Sequence, residues 1–258
     1  MLNFDPISQD PPYDSVFPPH NISVQIPSAG ENMLGVFFVA QGAGAHATIV
    51  LLHGFPGNEH NFDLAQIFRR AGWNVLVFHY RGAWGSAGVF SFTHVLEDTR
   101  AALDFVRNLP QVDTSRIVLM GHSMGAWSAL MNTITDGQIM GAAGIGVWNI
   151  SAFYEQMPND QHAIVLQWLA DSCAPLRVES AQALFDDIQA NTAEWDLRRH
   201  TLTGRHVLLV AGAEDEDTPD IIHHLPLVRM PMLNSHTSLS KTPITLFLVS
   251  ASNSPALF

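Results

Sequence analysis

Residues 116–126 read Arg-Ile-Val-Leu-Met-Gly-His-Ser-Met-Gly-Ala. The apolar run Ile117, Val118, Leu119, Met120 has the character of a strand buried on both faces of a parallel sheet. The stretch that follows, residues 126–134, is amphipathic and reads as a helix. Between them lies Gly121-His122-Ser123-Met124-Gly125. A Gly-x-Ser-x-Gly pentapeptide by itself arises easily by chance; a strand before it and a helix after it make it a nucleophile elbow. In such a turn the serine backbone is strained, and its neighbours must be small to clear the adjoining strand and helix. The hydroxyl then stands clear of the sheet, with backbone N–H groups aimed at a developing oxyanion. The plainer alternative is a serine that merely caps a helix.

A second signal lies upstream. His53-Gly54-Phe55-Pro56-Gly57 follows directly on the apolar stretch 48–52. Two glycines and a proline can hold a backbone N–H free beside the nucleophile, so the N–H groups of Phe55 and Met124 together would form an oxyanion hole. An ordinary strand-ending turn is the competing account. Both segments on one chain, in this order, favour the catalytic reading.

Working outward, strand patterns fall at 22–26, 34–40, 47–52, 75–80, 117–120, 142–148 and 207–211. Helical spacing is found at 62–71, before Gly72, and at 94–109, before Pro110. The alternation predicts an α/β fold with a mostly parallel central sheet flanked by helices. Residues 149–205 break the rhythm: they are helical at 161–169 and 179–190 and are expected to form a small lid insertion. Residues 1–20 hold five prolines and read as an extended arm. The whole chain, 1–258, is expected to be one domain.

Composition excludes several functions. A net charge of −12 opposes nucleic-acid binding, which requires a basic face. No apolar run reaches the roughly 18 residues needed to span a bilayer, and the N-terminus lacks a signal-peptide pattern. The one cysteine, Cys173, reads as a packing residue and suits a reducing, cytoplasmic setting. Thirteen histidines show no close metal-ligand spacing, and no Gly-rich phosphate loop follows a strand. Neither a metal nor a cofactor is expected.

The stretches LLHGFPGNEHNFDLAQ, VLVFHYRGAWGSAG, RIVLMGHSMGA and VLLVAGAEDEDTP resemble the α/β-hydrolase superfamily, over about residues 47–219. The likeness is to bacterial prolyl-oligopeptidase-like and serine-aminopeptidase-like hydrolases and esterases. It implies that Ser123 is the nucleophile and that Phe55 and Met124 supply the oxyanion N–H groups. It also places Arg81 in the loop after the fourth core strand, where it is read as structural. Ser123 argues against the aspartate and cysteine nucleophiles that other members of this fold use.

A serine needs a general base, a histidine oriented by a carboxylate, and in this fold the order is serine, acid, histidine. After strand 206–211, Gly212-Ala213-Glu214-Asp215 with a proline four residues on selects Asp215 as the acid, ahead of Asp217 and Glu214. A solvated acidic loop is the bland alternative. The histidine is harder to place. His223 and His224 follow the acid too soon, and His236 sits in a small-residue loop sequence. Roughly 21–30 residues should separate acid from base, and His236 falls at the short limit. Two readings stand. In one, 228–233 is the last strand, His236 is the base and 244–251 is a closing helix. In the other, 244–249 is the last strand and the tail brings no histidine to the triad.

The expected function is a serine hydrolase of small carboxylic esters or short acyl substrates. The alternatives are a peptidase of the serine-aminopeptidase type and a catalytically weak protein that keeps the fold without its base. The apolar content of 163–169 suits either an acyl pocket or plain core packing.

Overall fold

The computed structural model describes residues 4–58, 61–202, 205–212, 215, 218, 234–239 and 244–250. The strands are β1 (His20–Ser28), β2 (Glu31–Val39), β3 (His46–Leu52), β4 (Asn74–Phe78), β5 (Val112–His122), β6 (Gly141–Ile145), β7 (His206–Gly212), β8 (Asn234–Leu239) and β9 (Ile244–Ser250). They form one sheet in the order β1-β2-β4-β3-β5-β6-β7-β9-β8. From β4 to β7 every pairing is parallel. β1 and β2 at one margin, and β9 and β8 at the other, pair antiparallel. This is the α/β-hydrolase fold.

The parallel strands are covered on both faces, which is why their sequences are continuously apolar. Val50, Leu52, Ile117 and Leu119 enter the larger core. It is closed by α2 (Phe92–Arg107) and α3 (Met124–Thr135). The intervening Ile49, Leu51, Val118 and Met120 enter the core on the opposite face, beneath α1 (Phe62–Arg70). Trp127, Phe92 and Leu103 are fully buried in the larger core, and each such side chain contributes about 1.5–3 kcal/mol by leaving water. Ser91 caps α2 by accepting the His94 N–H at 3.0 Å.

Between β6 and β7 the chain is helical, with α4 (Ile150–Gln156), α5 (His162–Ser172) and α6 (Ala181–Trp195). The sequence did not signal α4. The segment is tied to the elbow helix, since Trp127 Nε1 donates to the Trp195 carbonyl at 3.0 Å. The N-terminal arm lies on the domain: the Gln41 side chain donates to the Pro12 carbonyl and the Gly42 N–H to that of Phe17.

Three expectations need correction. The strand expected at 142–148 ends at Ile145, because Gly146 takes a positive φ of 52° and turns the chain out of the sheet. Of the two readings of the tail, residues 244–250 form strand β9, as the second expected, and not the closing helix of the first. Ile244, Thr245, Phe247 and Val249 suit a pleated surface, and β9 pairs with β7 along its length. His236, expected in a loop, lies within β8; the strand expected at 228–233 falls outside the described residues. Among the described residues, no helix is long and apolar enough to cross a membrane.

Candidate active site

The elbow is built by exclusion of side chains. A Cβ on Gly121 would stand 2.6 Å from the Ala126 nitrogen, and one on Gly125 would stand 2.6 Å from the Leu52 carbonyl carbon. Only glycine lets β5, α3 and β3 approach this closely. Between the two glycines Ser123 takes φ 54° and ψ −117°, a conformation costing of order 1–3 kcal/mol for a residue with a side chain. Its surroundings hold it there. The Ser123 N–H donates to the Ile145 carbonyl at 2.9 Å, and its carbonyl accepts from Trp127 and Trp148 N–H at 3.1 and 3.2 Å.

The loop after β3 lies against this turn. A Cβ on Gly54 would be 3.3 Å from the Ser123 Cβ and 3.2 Å from His122 Nδ1. Phe55 therefore sits beside the serine from one side and Met124, buried, follows it on the other.

Asp215 follows β7 at the same sheet edge. Its carboxylate accepts the Thr218 N–H at 2.8 Å and the Thr218 hydroxyl at 2.6 Å. The absence of a side chain on Gly146 makes room for it: a Cβ there would lie 3.2 Å from Asp215 Oδ2 and 3.7 Å from His122 Nε2. Ser123, His122, Asp215 and Thr218 line one cavity of about 460 Å³, whose other walls are largely aromatic and aliphatic. A larger surface hollow between the β1–β2 turn and α2 has no histidine among its described lining residues, and its one hydroxyl, Ser28, is bonded to Asp98.

The strands carry His236 elsewhere. His236 pairs with Leu248, Leu248 with Leu208, Leu208 with Ala143 and Ala143 with Met120. Its backbone is thus four strands from β5, roughly 19 Å at the usual interstrand spacing. That is several times the length of a histidine side chain. Glu214, Asp217, His223 and His224 lie outside the described residues. Among the described residues, the histidine that lines the cavity with Ser123 is His122, and its buried Nδ1 has no hydrogen-bond partner among them.

Two features escaped the sequence reading. One is the part of the cavity's aromatic wall that Trp148 and Phe153 add to Trp168. The other is Asp196, which anchors the helical segment: it accepts from the Asn149 amide at 3.0 Å and from the Arg198 N–H and guanidinium at 3.0 and 2.9 Å. Burial opposes its ionisation, but these donors outweigh that and hold its pKa at about 2. Arg81 is structural: buried, it meets Asp98 at 2.6 Å, and the same carboxylate takes the Ser28 hydroxyl at 2.6 Å.

Comparison with known proteins agrees with this architecture. Residues 49–257 match the alpha/beta hydrolase family. The uncharacterized protein YfhR of Escherichia coli is 30% identical over 53% of this chain and 50% of its own length. YfhR of Salmonella typhimurium is 36% identical over 33% of this chain and 30% of its own. The chain thus spans half or less of the length of these curated relatives. Among solved structures, an acylaminoacyl peptidase of Pyrococcus horikoshii superposes with a TM-score of 0.58 at 14% identity, covering 81% of this chain and 34% of that one.

Proposed function

Because the chain belongs to the alpha/beta hydrolase family, we propose that it is a serine hydrolase of small neutral esters, working through an acyl-enzyme on Ser123. The observation that carries this reading is the positive-φ serine at the floor of a cavity it shares with Asp215. Ser123 Oγ attacks the ester carbonyl carbon while its proton passes to an imidazole. The oxyanion accepts hydrogen bonds from the Phe55 and Met124 N–H groups. The intermediate collapses, the alcohol leaves with that proton, and water then hydrolyses the acyl-serine. Asp215 offsets the charge of the imidazolium. No cofactor enters, and the buried Cys173 fits action in the cytoplasm.

The imidazole in this scheme is one other than His236, whose edge-strand position lies too far from β5. His122 shares the cavity with both Ser123 and Asp215. Hydrolysis of p-nitrophenyl butyrate tests the scheme. Loss of turnover in Ser123→Ala, with loss of fluorophosphonate labelling, is the expected result. Unchanged turnover in that variant would sink it. Faster cleavage of aminoacyl-p-nitroanilides than of p-nitrophenyl esters would replace the esterase by a peptidase.

A further inference from the structure

We infer that the cavity above Ser123 selects an uncharged ester with an aromatic ring close to the carbonyl, and that Trp168 is its specificity-determining residue. The inference rests on the serine-hydrolase reading and adds the substrate class to it.

The first observation is a division of labour along α5. The apolar stretch at 163–169 was compatible with core packing or with a pocket. Leu169 is fully buried, whereas Ile164 and Trp168 remain 66% and 44% exposed, and both line the cavity. With Leu169 as the helix's core anchor, Trp168 and Ile164 leave adjoining apolar surface at the cavity, open to a ligand.

The second observation is geometric. The Trp168 ring lies 5.6 Å from that of Phe55 and 5.8 Å from that of Trp148, at 49° and 76°. Phe153 meets Trp148 edge-on at 6.2 Å. These tilted contacts match the preferred arrangements of aromatic pairs and present faces and edges to a further ring. Phe55 also supplies one proposed oxyanion N–H, so a group close to the bound carbonyl meets its ring first.

The third observation is charge. Among the described residues, no lysine or arginine lines the cavity, and its floor carries the Asp215 carboxylate. A substrate bearing its own carboxylate would be desolvated there without a partner. The volume of about 460 Å³ suits a small ligand with one ring.

The test is binding to the Ser123→Ala protein, followed by calorimetry, so that it does not depend on turnover. The ligands are ethyl phenylacetate, ethyl cyclohexylacetate and the ring-carboxylated phenylacetate ester. The phenyl ester should bind several-fold tighter than the cyclohexyl ester, and at least tenfold tighter than the carboxylated one. Adding Trp168→Ala should weaken phenyl-ester binding about tenfold, and Trp168→Phe should restore most of it, with the melting temperature unchanged. Equal binding of the three esters, no measurable binding, or a Trp168→Ala protein that binds like its parent would overturn the inference. Should wild type and Ser123→Ala hydrolyse p-nitrophenyl butyrate equally while these preferences appear, the catalytic reading fails and the cavity's selectivity stands.

Discussion

The nucleophile elbow and the outer sheet margin beyond β7 are made in opposite ways. At the elbow, β5 is flanked by parallel partners on both sides, and two glycines leave no space for any side chain. The Ser123 N–H, donated to the Ile145 carbonyl, and its carbonyl, accepting from the Trp127 and Trp148 N–H groups, then fix it. At the margin, β9 and β8 are joined to the sheet through antiparallel pairing, and among the described residues β8 has a neighbour on one side only. Steric exclusion admits one backbone path at the elbow. Edge pairing admits many strands of similar pattern, and its register alone decides where a functional residue ends up. The serine is therefore over-determined, and the histidine expected to serve it is not.

Removing the proposed nucleophile tests the first half of this contrast and has the largest effect. Ser123→Ala should lower kcat/KM for p-nitrophenyl butyrate by at least 10³-fold, with circular dichroism and melting temperature close to wild type. Replacing a strained residue by alanine disturbs nothing that the two glycines build. A smaller loss of activity would place the chemistry elsewhere in the cavity.

Gly125→Ala attacks the construction of the elbow and leaves its chemistry intact. The new methyl group would press on the Leu52 and His53 carbonyls, which belong to β3 and its exit and cannot move alone. Destabilisation of about 1–3 kcal/mol is expected, together with a fall in activity of about a hundredfold as Ser123 and Phe55 separate. Urea denaturation and steady-state kinetics on one preparation measure both. An alanine tolerated at no cost would mean that the elbow is not sterically determined.

A third prediction concerns the helical segment beside the elbow. Asp196 has its pKa lowered to about 2, against about 3.9 in the unfolded chain. A depressed pKa stabilises the fold at pH values above the unfolded one, and that contribution is lost as pH falls from about 4 towards 2. Asp196→Asn should therefore cost about 2 kcal/mol at pH 7. The gap in melting temperature between variant and wild type should narrow between pH 4 and pH 2. A gap independent of pH would remove Asp196 as the ionised anchor of α4 and α6.

Legibility followed the same division. Strands β3 to β7 were readable because burial on two faces writes continuous apolar runs, β1 and β2, with many exposed positions, through their β-branched and aromatic residues, and the elbow at Ser123 because its residues are contiguous in sequence. Asp215, chosen from a short turn pattern after β7, lines the same cavity as Ser123. β8, Asn-Ser-His-Thr-Ser-Leu, has small polar residues and no apolar alternation, so its sequence has the character of a loop. The aromatic wall was hidden for another reason: an apolar residue on a helix carries the same sequence signature whether it faces a core or a cavity. Only its exposure in the fold separates Trp168 from Leu169.

The smallest expected effect gives the sharpest test of the contrast. His236→Ala should change p-nitrophenyl butyrate hydrolysis by less than about twofold, because its backbone sits four strands from β5, roughly 19 Å away. A base that has to touch the serine hydroxyl must come within hydrogen-bond reach, and no rotation of one side chain spans that distance. His122→Ala, measured alongside, should slow hydrolysis markedly, because its imidazole shares the cavity with Ser123 and Asp215. If His236→Ala instead abolished turnover and His122→Ala did not, the outer margin would have to pair differently in the active protein. The edge would then have carried a catalytic residue through a change of register that the elbow, closed by its glycines, could not undergo.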